Sequence, residues 1–552
     1  MAAPTQPRRR SRRGGLARAD RRTLLWTAAS ALLITGLASA LIVRFGTALF
    51  TTRPRPVAEG ASTEEAGCAP DRIQSLDSWR LARVEHAPLA PPKKQIWERA
   101  LGSTAAVQAA IKERLVGWPA QLLVDRADLP RQSSTFAWRL ARDTWRGLDA
   151  LTDREHGLPL DTVSFGDHSI AQPDSRIADY TSVTNIGLHL IDVVAALDLG
   201  LIDEDGARDR IRRTLDTLDA LETDDGIYFN YYDTTSLERT SRFLSFVDSG
   251  WLTAGLMVVR MTFSDLYERC SALIDRTHYQ AFYDPGYELM SHGYYVDPRG
   301  PSRYHYGVLY TEARLGTLIA IGKGDVPDAV WFEMTRTFPS ACRWQSREPR
   351  GVHEKSILGH TFTAGYYQWH MLRYVPSWGG SMFEALMPVL LLDEAAVAPN
   401  SLGANDRVHA AIQRLYALHD LGLPVWGFSP STTPGGDQYG EYGVELLGSH
   451  GYPAGPVTPH AAALALAVFP TQALADLRGL AQRYDVYGSY GFYDAVDPRT
   501  GRVAYKYLTL DQSMLFLALA NHLADHAIQK RFAADPIMQR VTPMLAAEDF
   551  FD

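Results

Sequence analysis

Six times along this chain a polar side chain stands at the head of a run of small and apolar residues with helical spacing. The heads are Asn185 (TNIGLHLIDVVAALDLG), Asp248 (VDSGWLTAGLMVV), Glu312 (TEARLGTLIAIG), Glu384 (SMFEALMPVLLL), His460 (TPHAAALALAVF) and Asp511 (LDQSMLFLALANHL), spaced 51 to 76 residues apart. Each interval has the length of one helical hairpin with its loops. The repeat predicts an all-α toroid, an (α/α)6 barrel, whose inner helices turn their N-termini towards one mouth. The first N–H groups of a helix lack intrahelical partners and collect polar side chains. Six such heads around one mouth bring carboxylates together.

The barrel is expected over 134–532. It opens with STFAWRLARDTWRGLDALTD, apolar at helical spacing and preceded by the N-cap types Ser133, Ser134 and Thr135. Strand signals are weak. Residues 490–511 look like a short hairpin turning at 497–501, and 226–238 alternate like a strand pair, so short β-hairpins in loops are expected. Ahead of the barrel, residues 24–43 form an uncharged apolar run long enough to cross a bilayer as one helix. Eight Arg precede it, which predicts a basic cytoplasmic tail over 1–23 and a body outside the cytoplasm. The rival is a cleaved signal, with Arg21-Arg22 as a twin arginine and Ala38-Ser39-Ala40 as the cleavage pattern. Residues 44–95, rich in Pro and Ala, read as a linker, 96–133 as a helical extension and 533–552 as a C-terminal tail.

Charge sharpens this division. Residues 1–53 hold ten Arg and one acid, a net +9, so the rest carries −17 within an overall −8. A body this acidic lacks the Lys and Arg clusters that phosphate contacts need, which argues against nucleic acid as a partner. Three Cys (Cys68, Cys270 and Cys342) allow one disulfide at most, and a Cys270–Cys342 bridge is open. There is no phosphate-binding glycine motif and no zinc-protease motif, so no metal and no organic cofactor is expected. The 26 Tyr and 12 Trp suit either stacking on sugar rings or the core of a large helical fold.

Several stretches carry a resemblance, in order along the chain. They are VTNIGLHLIDVVAALDLGLI, YFNYYDTTSLE with FVDSGWL, YTEARLGTLIAIGKGDVP, WGGSMFEALMPVLLL, GLPVWGFSPS, VTPHAAALALAVFP and YGSYGFYDAVDP, which together span nearly all of 135–530. The chain resembles the glycoamylase-like family of bacterial endo-β-1,2-glucanases and the cyclisation domains of cyclic β-1,2-glucan synthases. That resemblance implies an (α/α)6 barrel, in agreement with the six-run reading, and a polysaccharide or oligosaccharide substrate of the β-glucan class.

The resemblance also implies roles. Glu312 in TEARL matches the family's general acid; the alternative is a helix-capping Glu paired with Arg314 or another Arg. The cyclisation domains resemble retaining enzymes with a nucleophilic Glu in W-G-I-S-E-S. Here the stretch runs Trp426-Gly427-Phe428-Ser429-Pro430-Ser431, and Pro430 has no carboxylate. Direct attack by water, with inversion, is therefore expected. Asp248 is the candidate base, with a helix N-cap as its alternative. Asp437 and Glu441 in PGGDQYGEYG are rivals on a loop able to close over sugar. Tyr231, Tyr232, Trp251, Tyr306, Trp378, Trp426, Tyr439 and Tyr442 are candidate stacking platforms. Asn185, Asp233, Arg314, His460 and Asp494 are candidates for sugar hydroxyls. Glu384 is either a sugar contact or a buried helix-start carboxylate. The expected reaction is inverting endo-hydrolysis of a β-glucan, most specifically β-1,2-glucan. A transglycosylase, a hydrolase of another exported glycan and a non-catalytic glycan-binding envelope protein are the alternatives.

Overall fold

Serine starts three of the six polar-headed helices. Ser182, Ser245 and Ser381 are N-caps of Val183–Asp198, Phe246–Thr262 and Met382–Leu386, and each hydroxyl accepts the backbone N–H three residues on. Those third residues are Asn185, Asp248 and Glu384. The polar head is thus a first-turn residue and not the cap, as the cap reading of Asp248 had supposed. Only the Ser381–Glu384 pair makes the reciprocal capping box.

The computed structural model describes residues 126–165, 176–340, 342–436 and 438–551. The expected tail, apolar run and linker (1–23, 24–43, 44–95), most of the 96–133 extension and Asp437 lie outside them. No helix of the described residues is long and apolar enough to cross a membrane.

All six runs form helices: Val183–Asp198, Phe246–Thr262, Arg314–Lys323, Met382–Leu386, Pro459–Leu464 and Thr509–Leu523. They form the inner layer, and each carries an outer helix. Four pairs are the expected sequential hairpins, with Glu204–Ala220, Tyr267–Arg276, Leu402–Leu415 and Pro470–Arg483 as return legs. Two are not. Ser133–Ala150 packs on Thr509–Leu523, joining the two ends of the ring, and Pro536–Ala546 packs on Arg314–Lys323. Residues 533–551 of the expected tail therefore belong to the outer layer. Buried pairs lock them there: Arg260 with Asp535 at 2.6 Å, and Arg336 with Glu548 at 2.7 Å. Trp331 Nε1 also donates to Glu548 at 3.1 Å.

The small residues of the inner runs let backbones touch. A Cβ on Gly187 would stand 2.3 Å from the Trp251 carbonyl oxygen, and one on Gly250 would stand 2.8 Å from Gly316 Cα. Two inner helices stop early. Met382–Leu386 tightens into a 3-10 turn at Pro388, which has no N–H for an α-helical bond, and Pro459–Leu464 passes into another at Ala465.

Short antiparallel strands edge the mouth. Tyr180–Ser182 pairs with Tyr231–Asp233, and Lys506–Leu508 with Thr162–Ser164, the first strand of each pair running straight into an inner helix. The hairpin expected near 497–501 forms, pairing Ala495–Val496 with Val503–Ala504. Residues 226–238 do not pair with themselves as a hairpin. Ile227–Tyr228 returns on Thr223–Asp224, and Tyr231–Asp233 pairs outward. A larger sheet, Arg350–Ile357, His360–Trp369 and Leu372–Tyr374, fills the interval after Arg314–Lys323. Cys270 is free and Cys342 is disulfide-bonded, so a Cys270–Cys342 bridge is not formed.

Candidate active site

Glu312 lies in the turn just before Arg314–Lys323, so its side chain is set by the entry to an inner helix. Its Oε2 is buried and has no hydrogen-bond partner among the described residues. Burial, then the Glu384 carboxylate and more weakly Asp248, raise the Glu312 carboxyl from 4.5 to about 8, against an opposing pull from its own backbone and Arg314. At neutral pH this group holds its proton.

Arg314 is not the partner of Glu312. It is fully buried and forks onto Glu394, Nε to Oε1 at 2.8 Å and Nη2 to Oε2 at 2.9 Å. Its remaining N–H groups reach the carbonyls of Thr311, Glu384 and Ala385. Arg314 therefore fixes the floor beneath Glu312 and has no donor turned to a sugar. Glu384 is similarly engaged. It accepts from Gly379 and Ser381 N–H and from the Ser377 and Ser381 hydroxyls, all at 2.8–3.1 Å. Of its two readings, the geometry is that of the helix-start carboxylate holding the 377–381 loop. Its charge is what Glu312 feels.

Asp248 is held by two hydroxyls. Thr184 donates to Oδ1 at 2.6 Å and Ser245 to Oδ2 at 2.5 Å. Tyr306 lies within reach of the charges of both Glu312 and Asp248: burial and then those two charges push its phenol well up. The ring lies 4.2 Å from that of His292. Tyr452 plays the same part on the other side. Burial raises its phenol, followed by Glu384, Glu441, Glu312 and Tyr439. Glu441 and Tyr439 thus come to the Glu312 side of the mouth. Tyr442 is anchored through its hydroxyl to Thr433 at 2.7 Å. Trp378 is mostly buried, stacked on His450 with ring centroids 5.3 Å apart.

Asn185 donates to Asp161 Oδ1 at 3.0 Å. Thr162 covers Oδ2 at 2.9 Å. Burial, opposed by those two bonds and helped by Asp248, raises Asp161 to about 6. Asp161, Thr184, Glu394 and Tyr452 carry no signal of the kind that marked the six heads. Asp161 sits in LPLDTVSF, ahead of a short strand, and Tyr452 in the loop GYPAGP. One trace of Tyr452 is legible: a Cβ on Gly379 would strike its ring at 2.0 Å, so the Gly there is required.

Other candidates are taken up by packing or by local structure. Tyr232 is fully buried, its hydroxyl donating to the Glu222 carbonyl at 2.5 Å. Trp251 and Trp426 are core side chains. Asp233 accepts the Thr235 and Ser236 N–H groups and shapes a turn. Tyr231 sits edge-on to Tyr180 at 5.8 Å. His460 and Asp494 converge with Asp511 in a buried group, and the charge of Asp161 reaches Asp511.

Residues 349–536 match the glycoamylase family model, described as "Putative glucoamylase". Among curated proteins the chain is similar to the cyclic beta-(1,2)-glucan synthase NdvB of Rhizobium meliloti (strain 1021), at 23% identity over 74% of this chain and 18% of that protein. The chain thus spans under a fifth of that relative's length. Among solved structures it is similar to the endo-beta-1,2-glucanase of Chitinophaga pinensis, in complex with sophorotriose and glucose, with a TM-score of 0.56 and 15% identity over 76% of this chain and 99% of that one. The endo-beta-1,2-glucanase of Talaromyces funiculosus with sophorose gives a TM-score of 0.59 and 11% identity over 78% and 92%. These likenesses establish a helical α/α fold.

Proposed function

We propose that this chain, with its glycoamylase-family domain, is a glycoside hydrolase on an (α/α)6 barrel. It cleaves a β-linked glucan, β-1,2-glucan in particular, within the chain and with inversion. The observation that carries this reading is Glu312: a carboxyl at the mouth, held protonated to about 8, with Oε2 free of any described partner. A glycosidic oxygen is a poor leaving group until it is protonated, and a raised carboxyl can supply that proton. Asp248, whose charge acts on Glu312 and on the neighbouring Tyr306, is the base that draws a proton from the attacking water, directly or through a bound water or sugar hydroxyl. Inverting carboxyl pairs stand about 6.5–9.5 Å apart, leaving room for that water. Pro430 supports water as the nucleophile, since its position offers no carboxylate for a covalent intermediate. Tyr231, Tyr439 and Tyr442, each partly exposed, suit stacking on glucose rings. The apolar run at 24–43 supports a membrane anchor with the body outside the cytoplasm, and the disulfide-bonded Cys342 agrees with an oxidising compartment.

The test is linear β-1,2-glucan with the purified protein, products followed by NMR from the first seconds. Short oligosaccharides that appear first as the α-anomer, and a loss of at least ~100-fold in rate for Glu312→Gln, are expected. A first product of β configuration, or cyclic products, would sink inversion; undiminished turnover by Glu312→Gln would remove the acid. No turnover of any glucan would leave a glycan-binding protein.

A further inference from the structure

The structure brings together three side chains that the hydrolytic reading does not use. His460, on the first turn of Pro459–Leu464, Asp511, on the first turn of Thr509–Leu523, and Asp494, between two short strands, each offer a donor atom within 4.8 Å of the other two. Their exposures are 2%, 2% and 1%. Both ring nitrogens of His460, both oxygens of Asp511 and Oδ1 of Asp494 have no hydrogen bond among the described residues. Only Asp494 Oδ2 is taken, by the Thr432 N–H at 2.7 Å. Five buried polar atoms aimed at one another, with no outside partner, carry a cost that a native fold rarely tolerates.

We propose that His460, Asp494 and Asp511 bind one divalent cation of the zinc or manganese class. Three features fit that group. His460 is buried with neither ring nitrogen hydrogen-bonded to a described residue, so a nitrogen lone pair is left for a ligand bond. Asp494 and Asp511 bring two buried carboxyl groups face to face. His460 Nδ1 stands 3.4 Å from Asp511 Oδ2. Two donors each about 2.1 Å from a tetrahedral zinc ion stand about 3.4 Å apart, so this pair has the spacing of two ligands on one ion. One imidazole with two carboxylates selects a borderline transition metal, since calcium and magnesium sites are built from oxygen alone. The ion would tie the heads of two neighbouring inner helices to the 487–508 hairpins. This site stands independently of the hydrolase reading.

The rival occupant is a proton shared by the two aspartates, and the experiment separates the two. The untagged full chain is stripped with EDTA, dialysed into metal-free buffer and titrated separately with Zn2+, Mn2+, Ca2+ and Mg2+ by calorimetry and thermal melting. The expected result is one Zn2+ or Mn2+ per chain with a rise in Tm, and at least ~10-fold weaker binding in His460→Ala and in Asp494→Asn. Circular dichroism checks that each variant is folded, and the milder Asp511→Asn replaces either one that is not. No saturable uptake by the wild-type chain, uptake of Ca2+ or Mg2+ alone, or uptake unchanged in both folded variants overturns the proposal. Turnover of β-1,2-glucan, measured on the same samples, reports on the hydrolase reading separately.

Discussion

Replacing Glu312 with Gln should make the protein more stable while stopping its chemistry. Glu312 is raised from 4.5 to about 8, so between those pH values the folded chain holds one proton that the unfolded chain has lost. Stability then falls as pH rises, by about 1.4 kcal/mol per pH unit. Below the unfolded value both states are protonated and there is no penalty; above about 8 both are ionised and the penalty is complete. At pH 7 the penalty reaches about 3 kcal/mol, and the open side of the carboxyl at the mouth trims it to about 2 kcal/mol. Gln keeps the shape of the protonated acid and removes the cost. Urea unfolding of both proteins from pH 4 to pH 9 gives the difference directly. The two curves should coincide near pH 4 and then part, the variant reaching about 2 kcal/mol at pH 7, or about 2 °C in Tm for a body of this size. Parallel curves across the whole range would refute the raised carboxyl and, with it, the physical basis for calling Glu312 an acid.

Since Glu312 must be protonated to act, kcat/KM on β-1,2-glucan should fall as pH rises through about 8, and Glu384→Gln, which removes the charge that helps to raise it, should move that fall to lower pH. An unmoved limb in a folded Glu384→Gln protein would break the link. Asp248→Asn should lower kcat by at least ~100-fold with Tm little changed; a matching collapse of Tm would reveal a structural role instead. Glu394→Ala leaves Arg314 buried without its carboxylate and should cost about 3–5 kcal/mol in chemical unfolding, whereas Arg314→Met combined with Glu394→Met should recover much of it. Gly187→Ala sets a gain of about 1 kcal/mol in helix propensity against a Cβ pressed on the Trp251 carbonyl, and the overpacking, about 1–3 kcal/mol, should win.

What could be read from the sequence divides along physical lines. The inner layer was legible because Ser182, Ser245 and Ser381 impose a local rule: a hydroxyl cap, then a polar third residue, then a small-residue run. The outer layer was legible only where the return leg comes next in sequence. Nothing local announces that Pro536–Ala546 covers Arg314–Lys323, because that contact is made by surfaces and not by spacing. The site divides in the same way. Glu312 and Asp248 lie on the periodic pattern. Asp161 does not; it reaches Asn185 because its N–H donates to the Tyr180 carbonyl, on the strand that enters the Asn185 helix, and Thr162–Ser164 beside it pairs with Lys506–Leu508. Burial also changed the meaning of residues whose chemistry looked right. Arg314, Tyr232 and Asp233 have sugar-binding side chains, but their polar atoms are occupied by Glu394, by Glu222 and by a local turn.

The clasp between Arg336 and Glu548 spans 212 residues. A ribosome adding about 5–20 residues each second needs about 10–40 s to cover that distance. Through that interval the apolar flank of Arg314–Lys323 has been made but its cover has not. The nascent chain therefore carries an open seam next to Glu312, and sealing it is a late event in the birth of the molecule. Sequence changes in 536–548 should register first as lost yield during synthesis, well before they register in the chemistry of the finished protein.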